Sequence, residues 1–207
     1  MADQRPPARA ARRAAVHDFK RGRILDAAAE IFAVAGLGGA KIRAIADRAG
    51  CAVGTIYRYY ATKEEIHADL VRRSLGRLHQ AVRQAVTATD EPWAGVQAFF
   101  DYYRARPEEL GLGLYLYRGG APPGLTPELD RQLNGRLIQV LSLIAHEFGR
   151  RAGRDPAAAE IITVDLVSHA VGLILLQAAG RLKMLGYDAE TLFRRRLAED
   201  KLLGQPI

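Results

Sequence analysis

Thr55, Tyr57, Arg58 and Tyr59, with Lys63 four positions further on, put three hydroxyls, a guanidinium and an ammonium into nine residues. Such groups are hydrogen-bond donors, suited to phosphate oxygens and to the edges of bases. Any one of them alone belongs to an ordinary solvated face. Ile56 and Tyr60, four apart, have the spacing of residues turned toward neighbouring helices. That leaves the polar set outward on a short helix over residues 53–60.

Two preceding elements must position that helix. Ile24, Leu25, Ala28, Ile31, Phe32 and Ala35 recur at i, i+1, i+4, i+7, i+8 and i+11, one apolar helical face. Gly36-Leu37-Gly38-Gly39 stops it, because glycine tolerates the left-handed conformation of a helix end. Ile42, Ile45, Ala46 and Ala49 predict a second helix, only about two turns long. Gly50-Cys51-Ala52 makes a tight turn into the third. Two short helices joined by a glycine-bearing turn form a helix-turn-helix. The donors concentrate on its second helix, which moves them from the solvated class to the nucleic-acid-binding class.

The residues Ile24-Leu25-Asp26-Ala27-Ala28, Ile31-Phe32, Gly36, Ile42, Ile45-Ala46, Ala49-Gly50, Gly54-Thr55-Ile56-Tyr57-Arg58-Tyr59-Tyr60 and Lys63-Glu64-Glu65-Ile66 resemble, with spacing kept, the tetracycline-repressor (TetR) family of DNA-binding regulators. The resemblance covers about 45 of 207 residues. It implies a DNA contact from Arg43, a major-groove face of Val53, Gly54, Thr55, Tyr57 and Arg58, and phosphate contacts from Tyr57, Tyr59 and Lys63. The sequence departs from the family at both caps. Ala40 and Lys41 stand where Thr-Thr is usual, and Ala52 where Ser is usual. Each lost hydroxyl cap costs about 0.5–2 kcal/mol, so these helices lean on tertiary packing. Lys41 replaces a phosphate-binding hydroxyl with a point charge. Cys51, where Val is usual, is expected to pack as a small buried hydrophobe.

The charge is segregated in the same way. The chain carries +7 overall. Residues 1–63 hold 12 Lys/Arg against 5 Asp/Glu, while residues 64–207 hold 18 of each. Arginine outnumbers lysine 25 to 5, which coding bias would explain, but bias does not explain the segregation. Basic residues gain free energy by releasing counterions condensed on phosphates, so double-stranded DNA is the expected partner. Residues 1–23 contain seven basic and two acidic residues and no apolar run of a signal peptide. They read as a basic arm running into the first helix, with a disordered tail as the equal alternative.

Beyond residue 63 the pattern is helical throughout. Ile66, Leu70, Leu75, Leu78, Val82 and Val86 predict one long amphipathic helix, with Arg72, Arg73, Arg77 and Arg83 solvated. Asp90-Glu91-Pro92 starts another, with Asp90 as cap. A Pro/Gly run at 119–124 is a loop, and Thr126-Pro127-Glu128 starts a helix reaching about residue 151. Asp155-Pro156 opens the most apolar stretch, residues 161–179, which Asp165, His169 and Gln177 interrupt. A buried helix fits better than a membrane span, because charge in lipid is costly. Apolar on nearly every side, it needs covering by neighbours or by a second subunit. Gly186-Tyr187-Asp188 breaks it before a final amphipathic helix.

The expected fold is therefore all-α: a basic arm (1–23), a three-helix helix-turn-helix DNA-binding domain (24–63), and a larger helical domain (64–207) for ligand sensing and dimerisation. The last two helices, about 156–203, would pair with their symmetry mates in a homodimer, as the resemblance also implies. Trp93, Phe99, Phe100, Tyr103, Tyr115 and Tyr117, with Asp165 and His169 on one helical side, are the candidate lining of a pocket for a flat or hydrophobic small-molecule effector. Ordinary core is the competing reading for the aromatics, and a satisfied buried pair for Asp165 and His169. No cofactor or metal is expected, since the five histidines are scattered and no zinc spacing occurs. A single cysteine forms no intramolecular disulfide and fits a reducing cytoplasm. The nucleophile-elbow, Walker-A, HExxH and dinucleotide motifs are all missing, so an enzyme is not expected. The expected function is an effector-released repressor on a roughly palindromic operator. A DNA-binding regulator or adaptor without a small ligand is the alternative.

Overall fold

The computed structural model describes residues 8–114 and 126–203, and every element in them is a helix. The chain divides into two units, the first ending at Leu70 and the second beginning at Val71.

The first unit holds α1 (Ala8–Gly39), α2 (Ile42–Ala49), α3 (Val53–Tyr57) and the first turns of α4 (Lys63–Ala88). Most of the predicted apolar stripe is its core: Ile24, Leu25, Ala28, Phe32, Ile45, Ile56 and Ile66 are buried, whereas Ile31 is half-buried and Ala35, in the last turn before the Gly36 kink, is exposed. Each fully buried side chain of this size contributes about 1.5–3 kcal/mol, which lets helices of eight and five residues persist without side-chain caps. Both N-caps, Lys41 and Ala52, make no side-chain capping bond, as the missing hydroxyls imply. Gly36 breaks α1 at φ 64°, ψ 170°. Two expectations need correction. Residues 8–23 are helical and continuous with the rest of α1 and are not a disordered tail, because alanine and arginine are strong helix formers. And α3 ends at Tyr57, not at residue 60. The chain leaves it through turns in which the amides of Tyr59 and Tyr60 both donate to the Ile56 carbonyl.

The second unit contains the rest of α4, with α5 (Ala94–Arg104), α6 (Pro107–Gly113), α7 (Pro127–Ala152), α8 (Pro156–Ala178), α9 (Arg181–Met184) and α10 (Ala189–Leu203). The apolar helix α8 packs against α5, α7, α9 and α10. Phe100 of α5 stacks on Phe193 of α10 at 4.2 Å between centroids. By length and composition α8 would cross a bilayer. Its buried side, including Leu166, Ala170 and Ile174, is taken up by the unit's own helices. Asp155 caps α8, accepting from the amides of Ala157 and Ala158 at 3.1 Å. Asp90 does not cap α5, whose N-cap is Trp93 with no side-chain bond. Nor does α8 run on to Gly186. Gly180 adopts φ 71° and ends it six residues sooner, which makes α9 a separate turn. The sequence reasoning passed over α6, although Pro107 followed by Glu108 and Glu109 is a helix start.

At the α7–α8 crossing, a Cβ on Gly149 would stand 2.9 Å from the Cβ of Ala159 and 3.3 Å from the Arg154 carbonyl. Gly149→Val is therefore expected to cost about 1–3 kcal/mol by overpacking. Calorimetry would register this as a lower unfolding midpoint, and an unchanged midpoint would refute the close approach.

Candidate nucleic-acid interface

The helix-turn-helix is fixed by its turn. Gly50 takes the left-handed conformation at φ 64°, its amide donating to the Asp47 carbonyl and that of Cys51 to the Ala46 carbonyl. That double bond closes α2 and aims the chain into α3. Cys51 itself is half-buried, less enclosed than the sequence led us to expect.

The predicted contact residues divide by exposure. Lys41, Arg43, Gly54, Tyr57 and Arg58 are exposed, while Val53, Thr55, Tyr59 and Lys63 are half-buried. Gly54, Tyr57 and Arg58 stand at i, i+3 and i+4, one outward side of the α3 turn. A Cβ on Gly54 would meet nothing within 4 Å, so this side is open to close backbone approach. Among the described residues none of Lys41, Arg43 and Arg58 has an ion-pair partner, which leaves three cations for an external anion.

The outward residues rest on partners the sequence reasoning missed. The Tyr60 hydroxyl donates to Asp69 at 2.6 Å, and the Arg21 guanidinium reaches the same carboxylate at 2.7 Å. This joins α1, the exit of α3 and α4. Burial, and next the bond to Asp69, hold the Tyr60 phenol above the ordinary tyrosine range, so it stays a donor at neutral pH. Thr62 accepts from the Glu65 amide at 3.2 Å while the Glu65 carboxylate accepts from the Ala61 amide at 2.8 Å, a capping arrangement at the start of α4. The ammonium of Lys63 donates to the Gly38 carbonyl at 3.3 Å, and the Tyr59 ring lies 4.7 Å from that of His17. Arg48 pairs with Glu30, tying α2 to α1. A Thr-x-x-Glu spacing at 62–65 was a readable signal, and so was a buried phenol in need of an acceptor.

Asp69→Ala removes the acceptor of a buried hydroxyl. The expected loss is about 1–3 kcal/mol, set by Tyr60, since Arg21 is partly exposed and rehydrates. Amide exchange in α1 and at the exit of α3 should accelerate; unaltered exchange would remove the network's structural role.

In the second unit the predicted effector residues are mainly packed. Phe99, Phe100 and Tyr103 are buried, with Phe99 and Tyr103 edge to face at 5.1 Å. Burial pushes the Tyr103 phenol up to about 12. Trp93 is half-buried against Phe148 at 4.7 Å. Tyr115 and Tyr117 lie outside the described residues. Asp165 and His169 are not the buried pair expected. Asp165 is exposed and accepts from Arg196 of α10 at 2.7 Å. His169 is half-buried, its Nε2 without a hydrogen-bond partner among the described residues, and burial lowers its pKa below the usual histidine value. A groove of about 500 Å³ opens between α7 and α8, lined by Ile138, Leu141 and Val164 and also by Arg150 and Arg154. None of the predicted effector residues lines it.

Comparison with known proteins agrees with this arrangement. Residues 24–70 match the family described as "Bacterial regulatory proteins, tetR family", and residues 93–199 match "Tetracyclin repressor-like, C-terminal domain". The transcriptional activator FasR of Mycolicibacterium smegmatis is 36% identical over 158 residues, 74% of this chain and 70% of that protein. The transcriptional repressor SCO4008 of Streptomyces coelicolor is 30% identical over 174 residues, 83% and 86% of the two chains. The fold is shared with the fatty acid degradation regulator FadR from Bacillus halodurans (TM-score 0.63, 23% identity, covering 85% and 91%). These matches, to which the open cationic side of the helix-turn-helix corresponds, show that this chain belongs to the TetR family of DNA-binding transcriptional regulators.

Proposed function

We propose that the protein is a homodimeric repressor in the cytoplasm that binds a roughly palindromic operator through α3 and leaves it when a small molecule occupies the second unit. What supports this is the exposure of Lys41 and Arg43 at the start of α2 and of Tyr57 and Arg58 on α3 and its exit, the three cations having no ion-pair partner among the described residues. Two copies of α3 enter successive major grooves about 34–36 Å apart. The effector binds the non-DNA conformation better, with a coupling of about 1–3 kcal/mol. A flat or hydrophobic compound suits the aromatics of α5, with His169, beside the Phe193 ring that stacks on Phe100, as a polar group. Helix α4, which contributes residues to both units, is the element a ligand would shift.

The packing of Phe99 against Tyr103 and of Phe100 against Phe193 favours the second reading, a DNA-binding regulator with no small ligand. Selection from a random-sequence duplex pool, followed by a compound screen on the selected duplex, separates the two. An inverted repeat that a compound releases supports the proposal. A repeat that no compound releases leaves the ligand-free regulator. Absence of any sequence preference removes both.

A further inference from the structure

We propose that residues 8–23 form a second DNA-binding element, a rigid basic helix lying along the duplex backbone beside the groove that α3 enters. This extends the operator-binding reading above and rests on it. From Ala8 to Lys20 every residue whose side chain is described is exposed, so packing does not explain why the chain is helical there. Its surface pattern offers a reason. Arg9, Arg12, Arg13, Lys20 and Arg23 fall at i, i+3, i+4, i+11 and i+14, a sector about 100° wide. Asp18, the single acidic residue of that stretch, stands nine positions from Arg9, on the opposite side of the helix. None of the five cations has an ion-pair partner among the described residues, whereas Arg77, Arg104, Arg151 and Arg196 of the second unit each face a carboxylate.

The stripe is held in register with the helix-turn-helix. His17 lies against the ring of Tyr59, and Arg21, on the inner side, is anchored on Asp69 and Tyr60. A guanidinium nitrogen of Arg23 lies 3.1 Å from where a Cβ on Gly50 would stand, so the stripe ends at the turn that aims α3. From Arg9 to Arg23 the helix rises about 21 Å, the length of about six base-pair steps of 3.4 Å measured along the duplex axis. Side chains of that spacing on a straight rod can follow a phosphate row, which positions without reading sequence. Exposed Val16 and Phe19 also give the helix a membrane-surface character. Val16, however, sits within the cationic sector and forms no separate apolar face. Duplex DNA is therefore the favoured occupant.

The test uses the full chain carrying Arg9→Gln, Arg12→Gln and Arg13→Gln, which preserve helix propensity. The probes are a duplex recovered by selection and the same duplex trimmed of its flanks. On the long duplex the dependence of log affinity on log salt should weaken by about 2.7 for each bound subunit. Base preference should stay the same, and the trimmed duplex should bind variant and parent alike. The corresponding triple Arg→Lys variant should recover the parental salt dependence. Equal salt dependence of parent and glutamine variant on the long duplex overturns the proposal. So does binding of the parent to phosphatidylserine vesicles that the variant loses while DNA binding is unaltered. A parent with no base preference would instead sink the operator reading, a result distinguishable from either.

Discussion

Replacing Tyr57 by alanine is expected to weaken binding to a selected duplex by roughly fivefold to 150-fold, because a lost hydrogen bond is worth about 0.5–1.5 kcal/mol and a dimer loses two. Tyr57 is 55% exposed, so its removal deprives the protomer of little internal packing. Lys63→Ala acts differently. On the proposed reading its ammonium exchanges the Gly38 carbonyl for a phosphate, and losing it should reduce the salt dependence by about 1 per subunit without changing which sequence is preferred. Lys63→Arg keeps the charge and should keep most of the binding. Fluorescence anisotropy over a salt series reads both effects. Circular dichroism and sedimentation verify that fold and dimer survive. Undiminished affinity in both alanine variants would remove these residues from the interface.

How legible this was depends on what each feature needs. The stripe Ile24, Leu25, Ala28, Phe32 and the pair Ile45, Ala46 are buried as read, because helical spacing alone tells which side of a short helix must be covered. The glycine turn was legible for a similar reason: at φ 64° Gly50 adopts a conformation that other residues avoid. The Arg21–Asp69–Tyr60 network was not. It joins residues 39 and 48 positions apart, and no local pattern announces which carboxylate will meet a buried phenol. Asp165 shows the same limit from the other direction. Its spacing from His169 places both on one side of α8, but only the arrival of α10 with Arg196 decides its partner. Aromatic content was similarly ambiguous. Phe99, Phe100 and Tyr103 have the composition of a pocket and the burial of a core, and residue type does not distinguish the two.

The face proposed to pair two subunits carries the other large expected effect. Ile161, Val164, Leu175 and Leu176 of α8 are 71%, 48%, 42% and 46% exposed, at i, i+3, i+14 and i+15, on the side left open by the unit's other helices. Four large apolar side chains on one helix are a surface to be covered, and a stable interface buries about 800 Å² per partner. Met184, Leu185 and Tyr187, beyond the end of α8, are exposed as well and extend the apolar surface in sequence. Ile161→Glu with Val164→Glu should therefore yield monomers. In a two-fold interface each change occurs twice, and four side chains at about 1.5–3 kcal/mol apiece are comparable with the roughly 8 kcal/mol that separates a nanomolar dimer from a millimolar one. Because both positions are open in the protomer, helicity should persist. Operator affinity should then collapse, since one half-site no longer raises the local concentration of protein at the other. Analytical ultracentrifugation decides the point. A double variant that remains dimeric would shift the interface away from α8, and the paired insertion of α3 would need another symmetric surface to set its spacing.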